Sequence, residues 1–315
     1  MSQRKKMNKV ISLLGPTASG KTDFAILLSK VFDLEIISVD SVMIYKEFNI
    51  GSAKPDSKIL TKFPHRMVNI LEPYEKYSAA KFYDNLIENI NDIHLNNKIP
   101  ILVGGSMMYF KTFFSGGLSD LEKVPNNIKN LVGDMVEKKG LKYSYNFLNE
   151  IDQVSAKKIH FNDKYRITRM LEIYFSNNNN KPSEILQKCS ENVQCFRNLN
   201  LSIIPNDRSL LHKSIEKRMN FMLNGGFLDE VSHIKKKYEK LNLPAMSTIG
   251  YKQAAQYLDG ELDLESMKSK ILSSTRQLAK RQITWLRHLD YTTVYTSMDY
   301  DNIESRVRYF LNEQQ

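Results

Sequence analysis

A chain of 315 residues, 42% hydrophobic and 25% charged, is long enough to bury a sizeable core, and this composition excludes a disordered chain. Its longest uninterrupted apolar runs are only a few residues, which excludes a membrane-spanning helix. With 45 basic against 35 acidic side chains the formal net charge is +10, which admits a polyanionic partner without naming one.

The basic start "MSQRKKMNK" leads into an apolar run too short for a signal-peptide core, so a cytoplasmic protein is expected. Cys189 and Cys195 are the only cysteines. Their C-x5-C spacing without neighbouring histidines makes a poor metal site, and two incidental thiols in a reducing compartment are expected.

The first predicted strand, Val10 to Leu14, runs into Gly15-Pro16-Thr17-Ala18-Ser19-Gly20-Lys21-Thr22 and then into a periodic apolar helix beginning near Gly20. This is G-x-x-x-x-G-K-[ST] in the strand-turn-helix context that gives the pattern meaning. Successive backbone N–H groups and a helix N-terminus point at one anion, Lys21 adds a mobile charge, and the Thr22 hydroxyl can ligate Mg2+. A pyrophosphate-bearing ligand follows, but not which one.

A second predicted strand, Glu35 to Val39, ends at Asp40 in "SVDSVMIY". A carboxylate there can hold Mg2+ through water, accept a proton from a nucleophile, or simply cap the next turn. The segments "NIGSAKP" and "PHRMVNI" add Lys54, His65 and Arg66, equally readable as anion contacts or surface residues. A helix beginning near Ser78, a strand from Pro100 to Val103, the turn "GGSMMYF" and a helix from about Ser106 complete an alternating pattern. In an open parallel sheet, ligands bind outside the carboxyl ends of the strands, which brings Lys21, Asp40 and Ser106 together.

From about Lys123 to Asn200 the chain is polar and helical in pattern, with "SNNNNKPSE" as a solvated connection. A strand-like run, Leu199 to Pro205, returns it to the sheet. The predicted fold is α/β: a P-loop doubly wound parallel sheet with an inserted helical domain. Residues 1–122 with 201–298 form the core, 123–200 the insertion and 299–315 a C-terminal tail. The last third is mostly helical. In "SSTRQLAKRQITWLRHLD", Arg276, Lys280 and Arg287 fall on one face and Leu278, Trp285 and Leu289 on the opposite one, which predicts a docked helix with a cationic ridge. "YTTVYTS" reads as a last strand.

Taken in order, "GPTASGKT", "ISVDSVMIYKEFNIGSAKP", "PHRMVNI", "YSAAKFYDN", "PILVGGSMMYF", "NDKYRITRMLEIY", "LHKSIEKRMNFML" around Arg218, "IGYKQ" and "RQLAKRQITWLRH" resemble the tRNA dimethylallyltransferases over almost the whole chain, from about Val10 to His288. The resemblance implies transfer of a dimethylallyl group from dimethylallyl diphosphate to N6 of adenosine 37 in the anticodon loop of tRNAs that read codons beginning with U. The P-loop, Gly15 to Thr22, would then hold a leaving group. Lys21, Arg218 and Mg2+ at Thr22 would stabilise charge on the departing diphosphate, and Asp40 would be the general base. Ser106 stands where the family commonly has Thr and would contact both diphosphate and target base.

The tRNA-facing positions implied by the same match are Asp40, Ser41, Val42, Met43, Ser106, Lys129, Tyr165, Arg166, Ile167, Thr168, Arg169, Ser247, Thr248, Ile249, Gly250, Tyr251, Lys252, Lys280, Arg281 and Arg287. Adenosine 37 would be flipped out of its stack to reach the donor. A monomer is expected. Three rivals share parts of the pattern: a nucleoside kinase using Asp40 on a hydroxyl, a non-catalytic, nucleotide-gated RNA-binding module, and the smaller isopentenyltransferases that act on free adenylate.

Overall fold

The computed structural model describes residues 8–117, 124–188, 196–289, 292–296 and 299–313. Cys189 and Cys195 lie outside them. The first part of the chain forms β1 (Lys9–Leu14), α1 (Lys21–Val31), β2 (Leu34–Val39), α2 (Ser57–Lys62), β3 (His65–Arg66), α3 (Ala79–Leu95), β4 (Ile99–Gly104) and α4 (Met107–Phe114). Five helices follow: α5 (Asn126–Lys139), α6 (Leu141–Ile151), α7 (Gln153–Ala156), α8 (Lys164–Ser176) and α9 (Pro182–Lys188). The chain then forms β5 (Arg197–Ile203), α10 (Arg208–Asn224), α11 (Phe227–Lys237), α12 (Tyr251–Leu258), α13 (Leu264–Arg287), β6 (Thr293–Tyr295) and α14 (Tyr300–Asn312).

All pairings in the six-stranded sheet are parallel, in the order β3-β2-β4-β1-β5-β6. Alternate residues of the strands explain the layering. Ile11 and Leu13, Leu34 and Ile36, Ile101 and Val103, and Leu199, Leu201 and Ile203 join Phe24 and Leu28 of α1 and Ile303, Val307 and Phe310 of α14 in one buried cluster. On the intervening positions Val10, Leu14, Ile37, Val39 and Leu102 are also buried, and α3 lies against β2 and β4. Both faces are covered, as an all-parallel sheet requires.

Two compact units are present, residues 1–111 with 195–315, and residues 112–194. The second is wholly helical among its described residues and has its own core of Val132, Leu148, Ala156, Ile159, Ile167 and Leu171. Its Asp152 is 2% exposed and accepts from the N–H and hydroxyl of both Ser155 and Ser183, which ties α7 to α9.

Three features differ from the expectation. The insertion spans 112–194, not 123–200, because β5 starts at Arg197 beside Lys9 of β1; the polar run Arg197-Asn198 gave no apolar alternation to mark it. The two-residue β3 is too short to leave a pattern. Residues 299–315, expected as a tail, carry α14, whose i, i+4, i+7 triplet Ile303, Val307 and Phe310 is buried in the main core.

Candidate active site

The carboxyl ends of three strands lie level, since Leu14 is opposite Gly104 and Gly104 is opposite Val39. Backbones meet closely there: a Cβ on Gly104 would sit 2.0 Å from the Val39 carbonyl oxygen. The turns that leave these strands therefore start together, at Gly15, Asp40 and Gly105. With Arg218 of α10 and Gln282 and Trp285 of α13 they line one cavity of about 680 Å3, into which Thr22 and Ser106 also face. The structure thus brings Lys21, Thr22, Asp40, Ser106 and Arg218 into one site.

Gly20 caps α1 at φ 83°, a left-handed conformation that suits glycine. Ala18 adopts φ 61°, which costs about 1–3 kcal/mol for a residue with a Cβ and marks a backbone shaped by something other than local preference. Among the described residues, the N–H groups of Ala18, Gly20, Lys21 and Thr22 have no backbone carbonyl partner. They are donors held open at a helix N-terminus, the arrangement that binds phosphate.

Lys21 Nζ donates to the Pro16 carbonyl at 2.7 Å. Burial, with the Arg218 charge beside it and against the pull of Asp40, brings its pKa down to about 7. Arg218 donates from Nη1 to Thr17 Oγ1 at 3.2 Å and from Nη2 to the Ser52 carbonyl at 3.3 Å, and burial lowers its pKa against the pull of Asp40. Two buried cations sharing one nearby carboxylate disfavour their own charge. A polyanion between them relieves that cost.

Asp40 Oδ1 accepts the N–H of Val42 at 2.8 Å and of Met43 at 3.1 Å. The turn-capping role is therefore real, and it occupies one oxygen only. Oδ2 has no protein hydrogen bond among the described residues, so capping orients the carboxylate and leaves a lone pair for chemistry. Ser106 is half-buried where β4 hands over to α4, its N–H 3.4 Å from the Val39 carbonyl.

Lys54, His65 and Arg66 divide. Lys54 Nζ is saturated by Tyr45 O, Asn49 Oδ1 and Asn69 Oδ1 at 2.8, 3.0 and 2.6 Å, and burial brings its pKa down to about 8. Arg66 is bound by Glu35 and Asp92 at 2.5 Å each. Both are structural clamps. His65 donates from Nδ1 to the Phe63 carbonyl at 2.6 Å and lines the cavity.

In the main unit, Ser41 is exposed, Val42 and Met43 are half-buried cavity walls, and Ser247, Thr248, Ile249 and Gly250 line the same cavity. Lys252 is exposed, whereas Tyr251 is fully buried with its hydroxyl on Glu230 at 2.7 Å, so it cannot itself face a substrate. On α13, Lys280, Arg281 and Arg287 are exposed. The expected apolar face is rotated: from Arg276 onward Ala279, Gln282 and Leu286 are the buried positions, while Leu278 and Trp285 line the cavity and Arg276 is only half-exposed, 4.0 Å from Glu216. In the helical unit, Lys129 is exposed on α5, and Tyr165 is 81% exposed at the start of α8. Arg166 pairs with Asp163 and Arg169 with Glu172, Thr168 is half-buried, and Ile167 is core, so the last can only position its neighbours.

One contributor had no role in the sequence reading. Glu230, in the first turn of α11, accepts the N–H of Asn49 and Ile50 on Oε2 at 3.0 and 2.7 Å, and the N–H of Gly51 and the Tyr251 hydroxyl on Oε1 at 3.2 and 2.7 Å. It pins the loop whose Ser52 carbonyl holds Arg218. A lone carboxylate early in a helix reads as an ordinary dipole partner, so no local signal marks it. The loop also demands glycine at 51, where a Cβ would meet Phe227 Cε2 at 2.3 Å and Tyr251 Cζ at 2.5 Å. Gly51→Ala is expected to cost about 1–3 kcal/mol of stability, measured by urea unfolding, because two buried rings must shift.

The chain is similar in sequence and fold to proteins of one family. Residues 43–289 match the family model described as IPP transferase. The chain is 40% identical over 295 residues to the tRNA dimethylallyltransferases of Legionella pneumophila strains Lens and Corby, with 93% of each chain covered. Its fold is similar to the full-length tRNA isopentenylpyrophosphate transferase of Bacillus halodurans, with TM-score 0.69, 27% identity, and 96% of this chain and 95% of that one covered. It is also similar to a eukaryotic dimethylallyltransferase captured in crystallographic snapshots acting on tRNA, with TM-score 0.79, 27% identity, and 96% and 77% covered. A match of this extent, on a chain whose phosphate loop, aspartate and arginine converge on one cavity, places it in the IPP transferase family.

Proposed function

We propose that the protein transfers the dimethylallyl group of dimethylallyl diphosphate to N6 of adenosine 37 in the anticodon stem-loop of tRNAs reading UNN codons, as a cytoplasmic monomer. The observation that carries this is the cavity itself. Open backbone N–H donors and two buried cations lie at one wall, and a half-free carboxylate and apolar side chains lie at the others. Kinship with enzymes named for action on tRNA supports the choice of acceptor.

The chemistry follows from placement. The N6 nitrogen attacks the allylic carbon, the C–O bond breaks, and its electron pair leaves on the diphosphate oxygen. The open N–H groups of the P-loop, Lys21 and Arg218 are arranged to meet that developing charge. An exocyclic amine becomes strongly acidic only as its new C–N bond forms, so Asp40 Oδ2 is placed to take the proton late in the reaction. Ser106 supplies a hydroxyl between the two substrates.

Mg2+ fits the donor set. The Thr22 hydroxyl faces the cavity, and no cluster of three or more His, Cys, Asp or Glu that could hold a metal alone exists among the described residues. Such a site suits an ion that arrives with diphosphate oxygens and keeps waters. When bound, the ion neutralises charge on the leaving group.

Lys280, Arg281 and Arg287 of the main unit, and Lys129, Arg166 and Arg169 of the helical unit, supply charge for the tRNA backbone, with the exposed Tyr165 ring available to stack. Lys280→Ala and Arg287→Ala should each weaken tRNA binding and reduce its salt slope by about 1, with little change in affinity for the prenyl donor; filter binding across a salt series reads this out. Equal loss of both affinities would indicate misfolding instead.

The deciding experiment supplies labelled dimethylallyl diphosphate and Mg2+ with unmodified tRNA carrying A36-A37-A38, beside an A37→G transcript, free AMP, and ATP as a donor. Label in the A37 tRNA alone is expected. Label in AMP would move the protein to the free-nucleotide branch, and ADP release without prenyl transfer would make it a kinase.

A further inference from the structure

Gln282 sits on the buried side of α13, the helix whose outward side carries Lys280, Arg281 and Arg287, and it is 8% exposed. Its Oε1 accepts the Thr17 N–H at 2.9 Å, and its Nε2 donates to the Gly105 carbonyl at 2.8 Å. One amide thus joins the phosphate loop after β1 to the turn after β4. The residues beside these contacts are the ones the chemistry uses: Thr17 Oγ1 accepts from Arg218, and Gly105 precedes Ser106. The fit is close, since a Cβ on Gly105 would lie 2.6 Å from Gln282 Nε2.

The chemistry of the bridge is specific. It needs one acceptor and one donor on a single planar head, which the glutamine amide supplies at this length without a change of protonation. Glutamate keeps the acceptor for Thr17 but turns a lone pair on the Gly105 carbonyl. Methionine fills the volume and leaves both backbone groups unpaired in a buried place. A core residue chosen only for packing would not need this polarity.

We propose that Gln282 is a positioning residue for prenyl transfer, fixing the distance between the diphosphate-binding wall and the Ser106 wall of the cavity. This rests on the reaction assigned above, in which the two walls hold the leaving group and the incoming base. The helix thereby has two duties: Lys280, Arg281 and Arg287 are exposed on it, and Gln282 faces inward and tunes the site.

The test uses the full chain with Gln282→Met and Gln282→Glu, reading single-turnover transfer, tRNA affinity and pyrophosphate affinity. Both variants are expected to lose about 10- to 100-fold in the single-turnover rate at pH 8 while binding tRNA within about threefold of the wild type. For Gln282→Glu, protonation restores a donor toward Gly105, so its rate relative to wild type should climb as the pH falls from 8 to 6. A rate near wild type in both variants, or a Gln282→Glu ratio that does not change with pH, would overturn the role. If Gln282→Met does not fold, the Gln282→Glu ratio decides alone. A wild-type protein that binds pyrophosphate but prenylates nothing would sink the reaction and not the bridge, and pyrophosphate affinity then judges Gln282: weaker binding in both variants supports it, unchanged binding overturns it.

Discussion

Asp40→Asn is expected to slow transfer to adenosine 37 by about 10^2- to 10^4-fold while tRNA affinity stays within a few-fold. The asparagine carbonyl can still accept from Val42 and Met43, as Asp40 Oδ1 does, so the turn after β2 should survive. What disappears is the basic Oδ2. The substitution therefore separates the two roles that a strand-end aspartate can have, which Asp40→Ala would remove together. A single-turnover assay at saturating tRNA measures it, and near-normal turnover would exclude Asp40 as the base. Circular dichroism and tRNA binding on the same preparation should be unchanged, because the net loss of one negative charge in this cavity eases, if anything, the approach of a polyanion.

How far the sequence reaches can be judged residue by residue. Strand-level apolar runs and turn chemistry made β1, β2, β4 and the P-loop legible, since a buried parallel strand and a Gly-rich turn are local patterns. Their convergence was legible too, because parallel strands fix the level of their carboxyl ends, and the Leu14, Gly104 and Val39 register realises that. Glu230 was not legible. Its four donors come from residues 49–51 and from Tyr251, and only the tertiary fold brings them to one carboxylate. The rotation of α13 was missed for a related reason: helical periodicity fixes which residues share a face, but a cavity wall and a core wall are both apolar, so Trp285 and Leu286 cannot be ranked from sequence alone. Gln282 shows the same limit for a polar residue, where two backbone partners from remote turns make a buried amide favourable.

Lys21→Met should lower transfer by about 10^2- to 10^3-fold, and the pH dependence of the wild type should show why. Before diphosphate binds, burial and the Arg218 charge, against the pull of Asp40, hold the Lys21 pKa at about 7, so near neutral pH the ammonium is only partly present. A diphosphate favours the charged form, and its binding therefore draws a proton onto Lys21 at pH 8. Pyrophosphate affinity is expected to fall about fivefold from pH 7 to pH 8, and about tenfold per unit above that while the bound lysine stays protonated. Calorimetry in buffers of different ionisation enthalpy would detect the proton uptake. Lys21→Met is the control, since the titration of pyrophosphate itself is common to both proteins; identical pH slopes would rule Lys21 out as the titrating group. The same shift acts on folding. Unfolded chain keeps this proton up to its ordinary pKa of 10.5, whereas the folded empty protein releases it near 7. Between those values the unfolded state binds more protons, so the stability of the empty wild type should rise with pH relative to Lys21→Met. The methionine protein, spared a buried ammonium, should be the more stable of the two at pH 7 and the two should converge as the pH approaches 10.5. A site that sacrifices stability to hold a cation ready for a polyanion is then visible in a melting curve before any substrate is added.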